Sequence, residues 1–334
     1  MTKLSSRTPR LASRIGYLAL PLFLIMLPGI VPSQAPSSLQ DRPGDGYRIT
    51  VNANLVVLHA TVQDRKSILV SGLDKDNFQV SEDGTLQQIK YFNHEDIPVT
   101  VGLVIDNSGS MGRKRAEVIA AALAFARSSN PQDQMFVINF NEHVRFALPG
   151  NMPFTDQVSQ LEVALSRIIT TGQTALYDAV AAALEHLKKG DRDKKVLIVV
   201  SDGGDNASKH NLAQIMAMAQ RADAIIYTIG LFDDQDDDRN PRVLKQLAEE
   251  TGGDVFLPKS LKETVPICER IARDIRNQYT ISYVPANRKQ DGTYRVIQVK
   301  ASTPGRGHLS VRTRAGYRAP LDPPPSPDAK ANVP

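Results

Sequence analysis

Short apolar runs alternate with helical stretches from residue 99 to about residue 276. Each helical stretch covers roughly ten to eighteen residues, which is the length that a crossover between parallel strands requires. The alternation predicts an α/β fold, a Rossmann-like three-layer, doubly wound sheet with helices on both faces. The predicted strands are 99–105, 134–140, 195–201, 224–231 and 253–257, with an antiparallel edge at 143–148, and the predicted helices are 113–128, 156–169, 175–188, 211–221, 241–251 and 261–276.

The first of these strands runs into the sequence DNSGSMG, in which an aspartate and two serines are spaced two residues apart. Asp106, Ser108 and Ser110 therefore bring one carboxylate and two hydroxyls to the end of a buried strand. Gly109 and Gly112 allow the backbone to curl until alternate side chains point inward. Carboxylate, hydroxyl and water are the ligands that Mg²⁺ and Mn²⁺ prefer. Alone, the pattern is weak, because Asp and Ser are ordinary turn residues.

Two later segments lie at the same predicted edge of the sheet. Thr174 lies in a Gly-x-Thr turn that opens a helix, and Asp202 follows the strand 195–201. Loops at the carboxyl ends of neighbouring parallel strands converge on one crevice. We therefore expect a metal site of five oxygens, only two of them charged, which leaves a position for an acidic group from outside. The candidate ligands are Asp106, Ser108, Ser110, Thr174 and Asp202, and the candidate ion is Mg²⁺, with Mn²⁺ or Ca²⁺ as alternatives.

The three fragments D-x-S-x-S, G-x-T-x-L and S-D-G resemble the metal-ion-dependent adhesion site of the von Willebrand factor type A (vWA) family. The resemblance spans roughly residues 48–318, and the flanking segments are similar to those of secreted bacterial members. It implies a vWA fold in which the serines and the threonine touch the metal while the aspartates act partly through water. It also implies a partner whose Glu or Asp carboxylate completes the shell. The implied function is divalent-cation-dependent binding of a protein or matrix ligand, of the adhesion type.

The first 35 residues predict a secretory signal. Four basic residues without an acid precede an apolar stretch that reaches about residue 32, and a Ser-x-Ala pattern ends at Ala35. The predicted location is therefore secreted or periplasmic, with membrane contact only transiently through the signal segment. An uncleaved N-terminal anchor is the alternative. Residues 36–46 are polar and rich in Pro and Gly, so we expect a linker there.

The charge balance argues against a nucleic-acid partner. Of the 40 Lys and Arg residues, four lie in the signal segment, and the others equal the 36 Asp and Glu residues in number. The chain after Ala35 is therefore neutral and provides no basic-patch argument. The single cysteine, Cys268, excludes an internal disulfide, so stability has to come from the hydrophobic core.

Alternating, strand-like segments flank the α/β region on both sides. Residues 47–95 contain an Asp83-Gly84 hairpin signal, and strand-like residues return over 277–318. We therefore predict a small flanking β module in two parts around a vWA domain at 97–276. The Pro-rich tail, 319–334, lacks apolar periodicity, and we expect it to be disordered.

Several charged clusters have more than one interpretation. The acidic run 233–238 mimics a calcium loop, but Arg239 and Lys245 stand where an EF-hand needs Gly and Glu, which excludes that motif. A solvated loop is the simplest interpretation, while a weak Ca²⁺ site or a repulsive gate stays open. Residues 113–115 are interpreted either as a solvated basic turn or as a rim that steers a carboxylate-bearing partner. Two further interpretations concern turns: Glu82 and Asp83 serve a hairpin, and Asp205 is a loop or capping residue.

An enzymatic function is a weaker alternative. The six histidines are scattered, and the sequence contains neither a nucleophile motif nor a phosphate-binding loop. Asp106 with a metal could activate water, but no general base or second carboxylate cluster accompanies it. We therefore predict a binding protein that is not an enzyme. The alternatives are a structural or assembly protein of the cell envelope, in which the ion is purely structural, and a metal-dependent hydrolase.

Overall fold

The computed structural model of the protein describes residues 55–166, 170–233 and 239–321. Several predictions concern segments outside these described residues: the signal segment 1–35, the linker 36–46, the first part of the β module (47–54), most of the tail (322–334) and the acids of the run at 234–238. Within the described ranges, no helix combines the length and the apolar character needed to cross a membrane.

The described residues form the following strands and helices. The strands are β1 (Val56–Gln63), β2 (Phe78–Glu82), β3 (Thr85–Gln87), β4 (Ile89–Asn93), β5 (Val99–Asp106), β6 (Gln134–Phe140), β7 (Val144–Phe146), β8 (Lys194–Ser201), β9 (Ala224–Gly230), β10 (Val255–Phe256), β11 (Tyr279–Tyr283), β12 (Tyr294–Ala301), β13 (Ser310–Arg312) and β14 (Gly316–Arg318). The helices are α1 (Arg115–Ser128), α2 (Val158–Ser166), α3 (Leu176–Leu187), α4 (Leu212–Ala222), α5 (Pro241–Thr251) and α6 (Thr264–Arg276).

A six-stranded sheet in the order β10-β9-β8-β5-β6-β7 forms the centre of the α/β region. Its strands are parallel except for β7, which pairs antiparallel with β6 at one edge. All eight residues of β5 are buried, because helices cover both faces of the sheet. The chain continues from β5 to β6 on one side and later returns to β8 on the other, so β5 lies at the switch point of the doubly wound topology.

The helices pack against the sheet in two hydrophobic layers. Side chains of α1 and α6 join one face of the sheet, and side chains of α3, α4 and α5 join the other. Local sequence sets the helix ends, as in α5, where Asn240 caps the first turn, Pro241 follows it, and Gly252 ends the helix with φ +86°. The predicted α/β fold is thus confirmed, and the predicted elements of the region agree with the observed ones to within a few residues.

The flanking β segments form two four-stranded antiparallel sheets, in the orders β13-β1-β11-β4 and β14-β12-β2-β3. Both sheets combine strands from before and after the α/β region, since β1 pairs with β11 and β2 pairs with β12. Their inner faces share one hydrophobic core. We call residues 55–95 and 277–318 together the β module. The predicted domain boundaries stay predictions.

The turn between β2 and β3 confirms the hairpin signal but corrects the role of Glu82. Asp83 and Gly84 have φ values of +48° and +81°, as this turn requires. Glu82 is only 2% exposed and does not serve the turn. Its carboxylate instead accepts hydrogen bonds from Tyr283 at 2.8 Å and from Arg295 at 3.3 Å. Because successive side chains of a strand point to opposite faces, the Glu82 side chain points into the core. A charge is tolerated there only with a partner, which a distant strand provides.

A buried polar cluster joins the β module to the last helix of the α/β region. Asp274, near the end of α6, accepts hydrogen bonds from Thr61 Oγ1 of β1 at 2.8 Å and from Tyr227 of β9 at 2.9 Å. Arg312 of β13 forms an ion pair with the same carboxylate and another with Asp254, at 2.5 Å. The β module is therefore attached through charged, mostly buried contacts at the end of α6.

Candidate metal centre

The carboxyl ends of β5 and β8 bring two acidic residues together. Asp106 is the last residue of β5, and Asp202 directly follows Ser201, the last residue of β8. The two strands are adjacent and parallel, so both chain segments leave the sheet at the same edge. The long apolar runs of these strands fix their register, and the polar residues follow where the apolar runs end.

The Asp106 carboxylate is fully buried, with 1% of the residue exposed. One of its oxygens accepts a hydrogen bond from the Ser108 backbone N–H at 2.8 Å, and the other accepts one from Ser201 Oγ at 2.6 Å. Burial raises the pKa of Asp106 to about 6; the Asp202 charge adds to the rise, while the bonds from Ser201 and Ser108 oppose it. The donors to this carboxylate are thus neutral groups.

Three loops carry the candidate residues: the first follows β5, the second contains Thr174 and precedes α3, and the third follows β8. Hydroxyl groups link the first loop to the third. Ser108 Oγ lies 3.2 Å from Ser110 Oγ, and Ser110 Oγ donates to Asp202 Oδ2 at 2.5 Å. Ser108 and Asp202 are buried, whereas Ser110 is exposed. The oxygen atoms therefore form a line that begins inside the protein and reaches the surface at Ser110.

Thr174 is the fifth candidate, and its backbone is held against the third loop. Asn206 Oδ1 accepts a hydrogen bond from the Thr174 N–H at 2.9 Å, and the Asn206 N–H donates to the Thr174 carbonyl at 3.0 Å. Thr174 is 6% exposed. Among the described hydrogen bonds, none joins the Thr174 hydroxyl to the other four candidates. The structure thus links Asp106, Ser108, Ser110 and Asp202 locally and brings Thr174 to the same edge through its backbone.

The second loop is also bonded to the first. The Gly109 N–H donates to the Gly172 carbonyl at 3.2 Å, and the Thr171 N–H donates to the Asn107 carbonyl at 2.9 Å. Asn107 in turn donates its N–H to the Phe140 carbonyl at the end of β6, at 2.6 Å. Backbone hydrogen bonds therefore join the second loop to both the first and the third.

Sequence reasoning missed residues that support the five candidates. Ser201 is easily overlooked because it is the last residue of an apolar strand, although a polar residue at that position is itself a signal of a site at the strand end. Asn206 gave no signal, because its bond to Thr174 joins positions 32 residues apart. The expected role of Asp205 is confirmed, since it accepts hydrogen bonds from Tyr177 N at the start of α3, at 3.2 Å, and from Ser208 N, at 3.1 Å.

The basic turn at 113–115 differs from its solvated interpretation. Lys114 is 3% exposed, and its ammonium donates to the Leu231 carbonyl at 2.7 Å. Residues 109–114 form a 3-10 turn before α1, and this tighter turn directs Lys114 inward. The solvated reading is therefore wrong for Lys114. Arg113 is exposed and Arg115 donates to the Ser166 carbonyl at 2.8 Å.

The donor set fits a small, hard divalent cation. It offers two carboxylates and three hydroxyls, all of them oxygen ligands of the kind that Mg²⁺ and Mn²⁺ bind. Within the described residues, no cluster of three or more His, Cys, Asp and Glu side chains forms. No ion pair between described residues involves Asp106 or Asp202. The two carboxylates thus lack a counter-charge from a described side chain.

A comparison with known protein families agrees with the fold. The family model of the von Willebrand factor type A domain matches residues 100–267. Similar solved structures include a von Willebrand factor type A protein from Catenulispora acidiphila, with 14% identity, TM-score 0.49, and coverage of 84% of this chain and 77% of that one. The vWF domain of the type V pili tip protein Mfa5 from Porphyromonas gingivalis has 14% identity, TM-score 0.46, and coverage of 54% and 95%.

A third similar structure is proximal thread matrix protein 1 from the mussel byssus, with a zinc-occupied MIDAS motif. It has 16% identity and a TM-score of 0.45, and the match covers 54% of this chain and 48% of that one. No curated protein matches the chain.

Proposed function

The chain belongs to the von Willebrand factor type A domain family, and from this premise we propose that it binds another protein or a matrix component through a divalent cation. Domains of this family typically serve adhesion or binding and are generally not catalytic. In the proposal, Mg²⁺ or Mn²⁺ is held by the five oxygens described above, those of Asp106, Ser108, Ser110, Thr174 and Asp202. When bound, the ion supplies a positive centre to which a Glu or Asp carboxylate of the partner can attach.

One observation carries the proposal: two buried carboxylates, Asp106 and Asp202, lie at the same edge without a described cationic partner. Burying two acids whose hydrogen-bond donors are neutral costs free energy, and a bound cation would neutralise their charge. Asp202 also orients Ser110 through the bond at 2.5 Å. Because Ser110 is exposed, the partner would approach the ion from the side of this residue.

The nature of the partner and the place of action are parts of the same proposal. Two carboxylates balance a divalent ion and leave coordination positions for water or for an external acid, so a partner with an accessible Glu or Asp fits. The basic, apolar and small-residue pattern of residues 1–35 supports action outside the cytoplasm, as a secreted or periplasmic protein.

A structural role is the second candidate. The three loops already bond to one another, for example between Gly109 and Gly172, so an ion could serve only to staple them. In that case Asp106→Ala would lower the melting temperature and change no partner. In a metal-dependent hydrolase, the purified protein would instead turn over phosphoesters or peptides with added metal.

Affinity capture tests the proposal. Wild-type protein, Ser110→Ala and the control Ser302→Ala, which alters an exposed serine of the β module, are used as baits in envelope and medium extracts, with and without chelator. We expect a partner that is retained by the wild type and by Ser302→Ala, released by chelator and absent with Ser110→Ala. Capture that is the same for all three baits, or that survives chelation, would contradict the proposal.

A further inference from the structure

The turn between β6 and β7, residues 141–143, lies against the loop that carries Thr174. No motif includes this turn. We infer that Glu142 is a positioning residue for the candidate ion site, acting through the second loop. This inference rests on the proposed function, since it assigns a further residue to the same site.

The contact between Glu142 and the loop is direct. The Gln173 backbone N–H donates to Glu142 Oε2 at 3.0 Å, immediately before Thr174 in the chain. Glu142 is exposed, so burial contributes little to holding its side chain in this position. Holding an exposed glutamate in one rotamer costs conformational entropy, and a favourable contact has to offset that cost. The hydrogen bond from the Gln173 N–H provides that offset.

Gly172 makes room for the carboxylate. A Cβ atom at this position would overlap the Glu142 carboxylate, so the space next to the Gly172 Cα is taken by Glu142. Gly172 also has φ +86°, a conformation that favours glycine. The missing side chain of Gly172 is thus matched to the acidic side chain of the neighbouring turn.

The same turn holds the loop on both sides of Thr174. The Asn141 carbonyl accepts a hydrogen bond from the Ala175 N–H at 2.8 Å, and Asn141 Nδ2 donates to the Thr171 carbonyl at 3.0 Å. With the Thr174 N–H bonded to Asn206, three successive N–H groups, those of residues 173–175, are held by groups from outside the loop. Glu142 provides the first of these three bonds.

This arrangement predicts that Glu142 acts through its hydrogen-bond acceptor oxygen and that its negative charge contributes little. A side chain on a short loop has a defined direction only if the backbone beneath it is fixed. Loss of the Gln173 bond would free the backbone at Thr174 and weaken its contribution to ion binding. The charge of an exposed carboxylate is screened by salt and adds little at a distance. Glutamine, which keeps an acceptor oxygen at the same reach, should therefore replace Glu142 well, and alanine should not.

Calorimetric titration with Mn²⁺ tests the inference on wild type, Glu142→Ala, Glu142→Gln and the control Glu185→Ala. Glu185 is exposed and lies near the end of α3, roughly 13 Å along the helix from its start at the site. We expect Glu142→Ala to weaken Mn²⁺ binding about tenfold, the scale found when a supporting residue of a metal site is removed. Glu142→Gln and Glu185→Ala should stay within about twofold of wild type.

Hydrogen exchange gives a readout that does not depend on the metal. In metal-free protein, the Gln173 amide should exchange faster in Glu142→Ala and at the wild-type rate in Glu142→Gln and Glu185→Ala. In a Gly172→Ala background, whose new Cβ displaces the Glu142 side chain, adding Glu142→Ala should change Mn²⁺ affinity no further.

The outcomes separate this inference from the proposed function. No Mn²⁺ uptake by the wild type would remove both the proposed function and the ion-related role of Glu142. Normal uptake by the wild type with unchanged affinity in Glu142→Ala would overturn the inference alone. Equal losses in Glu142→Ala and Glu142→Gln would also overturn it, because they would assign the effect to charge.

Discussion

Two buried carboxylates in this molecule have opposite surroundings. Glu82 in the β module and Asp106 in the α/β region are 2% and 1% exposed. Glu82 accepts from Tyr283 and Tyr317, at 2.8 Å and 3.0 Å, and is paired with Arg295, which is itself 1% exposed. Asp106 accepts from Ser201 Oγ and from the Ser108 N–H, both neutral donors, and the neighbouring charge that raises its pKa is that of another acid, Asp202.

The difference separates a buried acid that a cationic side chain of its own module neutralises from a buried acid without such a described partner. Arg295 reaches Glu82 and also donates to the Asn287 and Lys289 carbonyls, each at 2.9 Å, so the module neutralises its own acid. Burial, together with hydrogen bonding to Glu82, raises the pKa of both tyrosines. At Asp106, burial raises the pKa of the carboxyl itself. A buried acid that is already neutralised belongs to the fold, whereas one that is not is a candidate binding group.

The largest expected effect is on the buried pair of the β module. Arg295→Met removes the counter-charge of Glu82 and should lower the free energy of unfolding by about 3–5 kcal/mol, the cost of leaving a buried charge unpaired. Denaturant titration measures this loss. The double variant Glu82→Gln, Arg295→Met should lose less than Arg295→Met alone. A double variant as unstable as the sum of its single changes would show that the two side chains do not compensate each other.

The next effect concerns the α/β region and depends on the ion. Mn²⁺ or Mg²⁺ at about 100 times its dissociation constant should raise the free energy of unfolding of the wild type by ~2.7 kcal/mol, since only the folded chain holds the site. Thermal unfolding with added ion or with chelator measures the rise. Asp202→Asn should lose it, whereas Glu82→Gln should keep it. An equal ion-induced rise in the free energy of unfolding of both variants would contradict the distinction between the two buried acids.

The pH dependence should come partly from the β module. Burial of the His59 side chain on β1 lowers its pKa well below the usual value, and the Lys194 and Arg314 charges lower it further. Above the unfolded pKa both states are neutral, but below it the unfolded chain takes up a proton that the folded one refuses. The free energy of unfolding should therefore fall, by at most ~1.4 kcal/mol per pH unit, as the pH drops below about 6.5.

His59→Gln is the matched variant for this pH effect. It should remove part of the acid sensitivity between about pH 6.5 and pH 5, as measured by denaturant midpoints at each pH. An unchanged pH profile in His59→Gln would show that the imidazole is not held neutral in the folded protein.

The smallest expected effect is at a capping residue next to the candidate metal centre. Asp205→Ala removes the acceptor for Tyr177 N at the start of α3 and should lower the free energy of unfolding by ~1 kcal/mol. The loss should be the same with and without ion, because Asp205 caps a helix and does not belong to the five candidates. An ion-dependent loss, seen in parallel melts with chelator, would assign Asp205 to the site itself.

The sequence predicted what depends on local pattern. The apolar runs of β5 and β8 and the turn residues after them were sufficient to predict the sheet and the edge at which Asp106 and Asp202 lie. The support of Thr174 could not be predicted, because Asn206 and Glu142 lie 32 residues away in either direction along the chain. Those contacts exist only once the strands have assembled.

The two wrong interpretations have the same physical origin. The charge of Lys114 predicts a solvated side chain, yet this side chain is buried and donates to the Leu231 carbonyl, 117 residues away. The neighbours of Glu82 predict a turn residue, yet Arg295, 213 residues away, makes its burial tolerable. For a charged residue, burial is decided by a distant partner, which a local pattern does not contain.

Equilibrium binding of Mn²⁺, followed by electron paramagnetic resonance of the free ion, tests the central claim most directly. The account predicts one ion per chain in the wild type and in Glu82→Gln, and none at the same concentration in Asp106→Ala. Circular dichroism verifies that each variant is folded. An absence of binding in the wild type, or an Asp106→Ala protein that binds Mn²⁺ as the wild type does, would contradict the claim that the edge at Asp106 and Asp202 is a cation site.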